Sequence, residues 1–237
     1  MDQKVVLFIG VCDDISISSI IEFAKLGHRI AVASHMNDAL DRVQAYNASN
    51  YLIEIADFKD IQNAGRAITE TVERFGRIDK LVINSSQIGE DRRINHEGFY
   101  NDFRDVLQVN LMFATRIAQL AEPYLIQTKG SIVIVSVVDR PSLSFCVAQA
   151  GLLMLNKTLA NSFAHKEVRI NAIIDSSVGE SCSQIVYEDI QESRKTDLID
   201  ELVKFIIFLG SDEASFVHGS IFKLKKHPKI QHIRSIS

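Results

Sequence analysis

Residues Lys4–Leu26, KVVLFIGVCDDISISSIIEFAKL, carry the decisive pattern. Lys4–Ile9 is a nearly unbroken apolar run of strand length, and Ile17–Leu26 spaces its apolar residues with the helical period. A strand without polar alternation must be covered on both faces, as strands of parallel sheets are. Between the two lies a short polar turn, Gly10–Ser16. The stretch therefore reads as strand, turn and helix, the first half of a strand–helix–strand crossover.

Working outward, the same unit recurs. Arg29–Ala33 (RIAVA), Tyr51–Ile55 (YLIEI), Lys80–Ile83 (KLVI), Ser131–Val135 (SIVIV) and Arg169–Ile174 (RINAII) read as further strands, and Ser220–Leu224 as a last one at the edge. Helical periodicity fills the intervals at Asp38–Ala45, Asp60–Phe75, Tyr100–Leu125, Phe145–His165 and Leu198–Leu209. Such alternation predicts an α/β fold: a single-domain, Rossmann-like, doubly wound parallel sheet of about seven strands with helices on both faces. No repeat or linker divides the chain. The expected layout is one domain over 1–224 and a basic tail over 225–237.

Composition narrows the function classes. The chain has 237 residues, 46% hydrophobic and 24% charged, which is globular rather than disordered. Lys plus Arg number 26 against 30 Asp plus Glu, a net charge of −4 that excludes a wholly basic nucleic-acid protein. Cys12, Cys146 and Cys182 lack zinc or redox spacing, so free thiols in a reducing compartment and no metal are expected. The N-terminal residues lack a leader pattern and no run of about 18 apolar residues occurs, so a soluble, cytoplasmic protein with no membrane partner is expected. Gln149–Leu155 (QAGLLML) is apolar around most of its circumference, and Val109–Ala121 is similar. Helices of that kind are buried, either as extra core or against a second copy. A homo-dimer or homo-tetramer through 109–121 and 149–155 is the expectation, and a small-molecule ligand remains open. Lys223–Ser237, with basic residues and no acid, reads as a solvated tail.

Phe75–Asp79 (FGRID), Val109–Leu111 (VNL), Gly130–Ser136 (GSIVIVS), Arg169–Ala172 (RINA) and Phe208–Gly219 (FLGSDEASFVHG) resemble, in order and spacing, the short-chain dehydrogenase/reductase family. The similarity runs from Lys4 to Leu224. It implies a nicotinamide dinucleotide held on a Thr-Gly-x-x-x-Gly-x-Gly turn, whose glycines let backbone amides approach the phosphates. Here that turn is Ile9-Gly10-Val11-Cys12-Asp13-Asp14-Ile15-Ser16. Gly10 is kept, while Asp14 and Ser16 stand at the other glycine positions. A carboxylate about 6 Å from a phosphate charge costs roughly 3 kcal/mol at an effective dielectric of about 20, less with salt, so Asp13 and Asp14 together are expected to oppose a pyrophosphate. Asp14 or Ser16 is instead expected to cap the helix. The other positions the family gives to the cofactor fall on Ile15, Ser34, His35, Asp57 and Asn84, the last opening Asn84-Ser85-Ser86-Gln87 in place of Asn-Asn-Ala-Gly. No cofactor is expected, and NADP(H) or NAD(H) if any.

The resemblance also implies a catalytic Tyr-x-x-x-Lys pair, an orienting serine and a proton-relay asparagine. Through Ala150-Gly151-Leu152 the tyrosine falls on Phe145 and the lysine on Gln149, both expected to border the cleft. The serine falls on Val137, with Ser136 one residue earlier and expected on the opposite face by strand alternation. Asn110 matches the asparagine. Ser136, Asp139, Arg140, Ser142, Ser144 and Cys146 lie nearby and read as loop caps or surface. Two functions stay open: a binding, scaffolding or non-redox protein with a degenerate site, and a divergent NAD(P)H-dependent reductase of a small carbonyl or acyl substrate.

Overall fold

The computed structural model describes residues 3–34, 37–46, 51–54, 57–60, 62–87, 89–90, 92–137, 142–175 and 192–224. Within them the apolar runs become strands β1 (Val5–Gly10), β2 (Arg29–Ser34), β3 (Tyr51–Glu54), β4 (Lys80–Asn84), β5 (Ser131–Ser136), β6 (Arg169–Asp175) and β7 (Ile221–Leu224). They form one sheet in the order β3-β2-β1-β4-β5-β6-β7, and every neighbouring pair is parallel. The chain runs outward from β1 to β3 and then returns to β4 beside β1. That reversal opens a crevice at the C-terminal ends of β1 and β4, the place where open α/β sheets take ligands.

The helices are α1 (Asp14–Lys25), α2 (Asn37–Tyr46), α3 (Gln62–Phe75), α4 (Phe99–Leu107), α5 (Phe113–Thr128), α6 (Leu143–Phe163) and α7 (Glu192–Gly210). Strand alternation divides the core between the two faces. Leu7, Leu81, Ile83, Ile132 and Ile134 pack with Ile68 of α3, Ile117 of α5 and Leu152 of α6. Val6, Phe8, Val82, Val133 and Val135 pack with Ile20 and Phe23 of α1 and Leu202 and Ile206 of α7. Burial of apolar surface on both faces, at roughly 25 cal/mol per Å², supplies the driving force.

Two boundaries depart from the periodicity. The helix expected over Tyr100–Leu125 is interrupted by a π-helical turn, Gln108–Met112, which joins α4 to α5. A π turn inserts one extra residue per turn and commonly marks a functional position. The helix expected from Phe145 starts earlier, because the Ser142 side chain caps it by accepting the Phe145 N–H at 3.2 Å. With the turn that follows it, Leu143–Lys166 is long and apolar enough to cross a membrane. Its inner face, including Ala148, Leu152, Asn156 and Phe163, is instead buried in the fold, so it is a core helix.

The N-terminal ends of the strands carry a charged lattice. Asp79, buried at the start of β4, accepts Val5 N at 2.8 Å and Arg77 Nη2 at 2.6 Å. Lys80 donates to the Gly210 carbonyl, and burial lowers its pKa. Arg169 donates to the carbonyls of Leu209 (3.0 Å), Ser211 (2.8 Å) and Ala214 (3.1 Å), closing the C-terminus of α7.

Candidate functional site

The C-terminal ends of β4 and β5, the π turn and the start of α6 meet on one side of the crevice. Asn110 sits in the π turn, 1% exposed. Its Nδ2 donates to the carbonyls of Gln87 (2.7 Å) and Val106 (2.9 Å), and its Oδ1 accepts Gln87 N at 3.0 Å. Ser85 Oγ donates to the Asn110 carbonyl at 3.2 Å, and Ser136 Oγ donates to the Ser85 carbonyl at 3.1 Å. Gln149 Nε2 donates to the Ser136 carbonyl at 2.8 Å, with Ser136 Oγ 3.4 Å away. The result is a continuous neutral network from α4 to α6, in which Gln149 Oε1 is buried without a partner.

Phe145 and Gln149 do not border an open cleft. Both are 0% exposed. Phe145 packs with Val106, Leu107 and Ala148 in a small cluster beneath the network. One turn and a half further along, α6 also packs closely on the π turn: a Cβ on Gly151 would come within 2.6 Å of Leu111.

Ser136 also differs from expectation. It lies on the same side of the sheet as Asn110 and Gln149, because it continues the alternation of Ile132 and Ile134. Val137 packs with the opposite layer, among the neighbours of Val133 and Val135, while its N–H reaches Ser86 Oγ at 3.2 Å. A serine therefore does stand beside the asparagine, one residue before the position the resemblance implies. Ser142 is the cap of α6, Ser144 is buried, and Cys146 is half-buried. Asp139 and Arg140 fall outside the described residues.

The other side of the crevice is the turn after β1. Its helix cap is Asp13, not Asp14 or Ser16: Asp13 has extended backbone and its Oδ1 accepts Ser16 N at 2.9 Å. Asp14 is the first helical residue, exposed and paired with Arg42 at 3.2 Å. Ser16 Oγ donates to the Val11 carbonyl at 2.9 Å and accepts Asn84 Nδ2 at 2.9 Å. Ile15 is half-buried and packs against the α1–α7 layer. Ser34 is buried at the end of β2, its hydroxyl unpartnered. Asp57 is an exposed turn residue whose Oδ1 accepts Lys59 N at 2.8 Å, and His35 falls outside the described residues.

Gly10 is held at φ +119°, and a Cβ there would collide with the Asn84 carbonyl oxygen. The missing side chain serves the approach of β1 to β4, where Val11 N donates to that same carbonyl at 3.1 Å. Two cavities adjoin the crevice, one bounded by Cys12, Ser16, Ser34 and Asn84, the other by Ser85, Gln87 and Asn110. Each leaves about 10 Å³, room for one water at most. A dinucleotide pyrophosphate does not fit these residues: the Asp13 carboxylate already takes the α1 terminus, where its Oδ1 accepts Ser16 N. Among the described residues no group of His, Cys, Asp and Glu could hold a metal ion.

Comparison with known proteins agrees with the topology. The family model described as enoyl-(acyl carrier protein) reductase matches residues 10–225. The 3-oxoacyl-[acyl-carrier-protein] reductase FabG of Thermotoga maritima is 26% identical over 93% of this chain and 96% of its own length. The meso-2,3-butanediol dehydrogenase of Serratia marcescens is 24% identical over 92% of each. Among solved structures, levodione reductase superposes with a TM-score of 0.76 at 21% identity, covering 94% of this chain and 96% of that one. Carveol dehydrogenase from Mycobacterium avium, in complex with NAD, gives 0.72 at 19% identity over 93% and 95%. With its strand order, its crevice and this match over nearly its whole length, the chain belongs to the short-chain dehydrogenase/reductase family.

Proposed function

We propose that this chain uses the family's fold as a binding or scaffolding protein, or as a non-redox enzyme, and does not run the family's tyrosine–lysine proton transfer. The observation that carries this reading is the burial of Phe145 and Gln149, each 0% exposed, at the positions of that pair. Phenylalanine has no proton to give, and Gln149 spends its donor on the Ser136 carbonyl. Losing one general acid costs about 10²–10⁴ in rate. Among the described residues no ionisable side chain joins the Asn110–Ser136–Gln149 network to replace it.

The names of the relatives favour a second reading, an NAD(P)H-dependent reductase of a small carbonyl or acyl substrate. In that case solvent or a remote residue supplies the proton. Titrating the purified protein with NADH and NADPH by cofactor fluorescence, then adding small ketones and an acetoacetyl thioester, separates the two. The first reading expects no substrate-dependent oxidation. Turnover above the solvent background selects the second.

We also propose a soluble, cytoplasmic homo-oligomer. Tyr100, Met112, Leu143, Val147 and Met154 are exposed on α4, the π turn and α6 in the single chain, which supports pairing through that layer. Light scattering at micromolar concentration tests it, and a monomer would refute it.

A further inference from the structure

The N-terminus of α1 turns its unpaired N–H groups and the positive end of the helix dipole toward the crevice, which makes it the natural anion site of the fold. We infer that Asp13 is a built-in anion for this terminus: the chain supplies the negative charge itself and thereby keeps phosphate-bearing ligands out of the crevice. The inference concerns the β1–α1 end and stands apart from the reading of Phe145 and Gln149; either can fail alone.

The geometry is that of an occupied site. Asp13 Oδ1 accepts Ser16 N at 2.9 Å, and its own carbonyl accepts Ile17 N at 2.9 Å. The Ser16 hydroxyl, which could have donated to a phosphate, donates inward to the Val11 carbonyl. The Asn84 amide group spends a donor on Ser16 Oγ and leaves Oδ1, an acceptor, buried and unpartnered beside the same cavity. Ser34 Oγ, also unpartnered, bounds that cavity from β2. The α1 terminus thus presents a carboxylate where a phosphate needs donors. Burial raises the Asp13 carboxyl above its ordinary pKa, the Asn84 and Ser16 hydrogen bonds opposing it, so the charge lies close to the interior.

Asp14 is the internal control. It is the adjacent carboxylate, but it is exposed and paired directly with Arg42 at 3.2 Å, with side-chain exposures of 55% and 60%. Its field at the crevice is screened, and that of Asp13 is not. Gly10 completes the distinction: the glycine is required by the Asn84 carbonyl whether or not a phosphate binds.

The experiment measures binding of inorganic pyrophosphate and of NADPH to the full chain by calorimetry, with melting temperature as a second readout. The proteins compared are wild type, Asp13→Gly and Asp14→Gly. Glycine is tolerated at N-caps almost as well as aspartate, so Asp13→Gly is expected to fold. A unit charge about 5 Å from a phosphate at an effective dielectric of about 20 changes affinity on the order of a hundredfold before salt screening. The expected result is no saturable binding to wild type, a gain of about tenfold or more in Asp13→Gly, and less than about threefold in Asp14→Gly. Should Asp13→Gly fail to fold, Asp13→Asn keeps the cap, removes the charge and is expected to show a smaller gain of the same sign. Wild type binding either probe as tightly as the Asp13 variant overturns the inference. So does an equal gain from Asp14→Gly, and so does a folded Asp13 variant that binds neither probe.

Discussion

At the N-terminal ends of the strands the chain buries full charges, whereas at the C-terminal ends it buries amides and hydroxyls. Asp79 and Lys80 lie 4% and 6% exposed at the lower end, and Arg169 joins them on three carbonyls. Each has a partner of the right kind, so the charges hold β1, β4, β6 and α7 together. At the upper end Asn110, Ser85, Ser136 and Gln149 cross-link the π turn to β5 and α6, and among the described residues their hydrogen bonds include no group that gives or takes a proton near neutral pH. Among the described residues, buried charge at the lower end supports the fold, and the network that joins the π turn to α6 is neutral.

The comparison breaks most sharply if the upper end accepts the family's pair. Phe145→Tyr with Gln149→Lys would bury an ammonium and a phenol hydroxyl where the structure leaves no exposure. An uncompensated buried charge costs about 3–5 kcal/mol, and an unsatisfied hydroxyl about 1–3 kcal/mol more. We expect the double variant to melt far below wild type in urea and to show no NADPH oxidation. Phe145→Ala, which leaves only a cavity, is expected to cost about 3–5 kcal/mol in the same melt. A near-neutral double variant that turns over NADPH would mean the upper end is still an active site. The lower end gives the next effect. Arg169→Ala strips a donor from the carbonyls of Leu209, Ser211 and Ala214 and is expected to cost about 3 kcal/mol by urea denaturation. A loss below about 0.5 kcal/mol would place that arginine among solvated surface charges.

How far these features are legible in the sequence depends on whether they are periodic. The strands follow from near-continuous apolar runs, and the doubly wound parallel sheet from their regular alternation with helices. The π turn is different, because an inserted residue inside Tyr100–Leu125 leaves an apolar helix apolar and the period shows nothing. Ser136 was placed by counting from a family position past the strand end. The alternation that matters is that of Ile132 and Ile134 within it. The cap of α1 was ambiguous because Asp13, Asp14 and Ser16 are all good capping residues. Only the extended backbone at Asp13, φ −85° and ψ −177°, decides among them.

Asp13 is the exception to the neutral upper end, and its charge gives the smallest and most specific effect. Burial, the leading cause, raises its pKa above the ordinary 3.8. The folded protein therefore holds that proton more tightly than the unfolded chain. The stabilising contribution is fully present below the unfolded value and is lost as pH rises through the folded one. At neutral pH wild type then carries a charge cost that Asp13→Asn, which keeps an N-cap acceptor, does not. We expect Asp13→Asn to be the more stable protein at pH 7, by on the order of 0.5 kcal/mol. The difference should shrink as pH falls through the raised value toward 3.8. Urea melts of both proteins from pH 7 to 4 measure it. An Asn variant that is less stable at pH 7, with the gap closing toward acid, would mean that the attraction between the Asp13 charge and the α1 dipole outweighs its burial. The carboxylate would then be a favourable cap, as ordinary as the charges at the other end of the sheet.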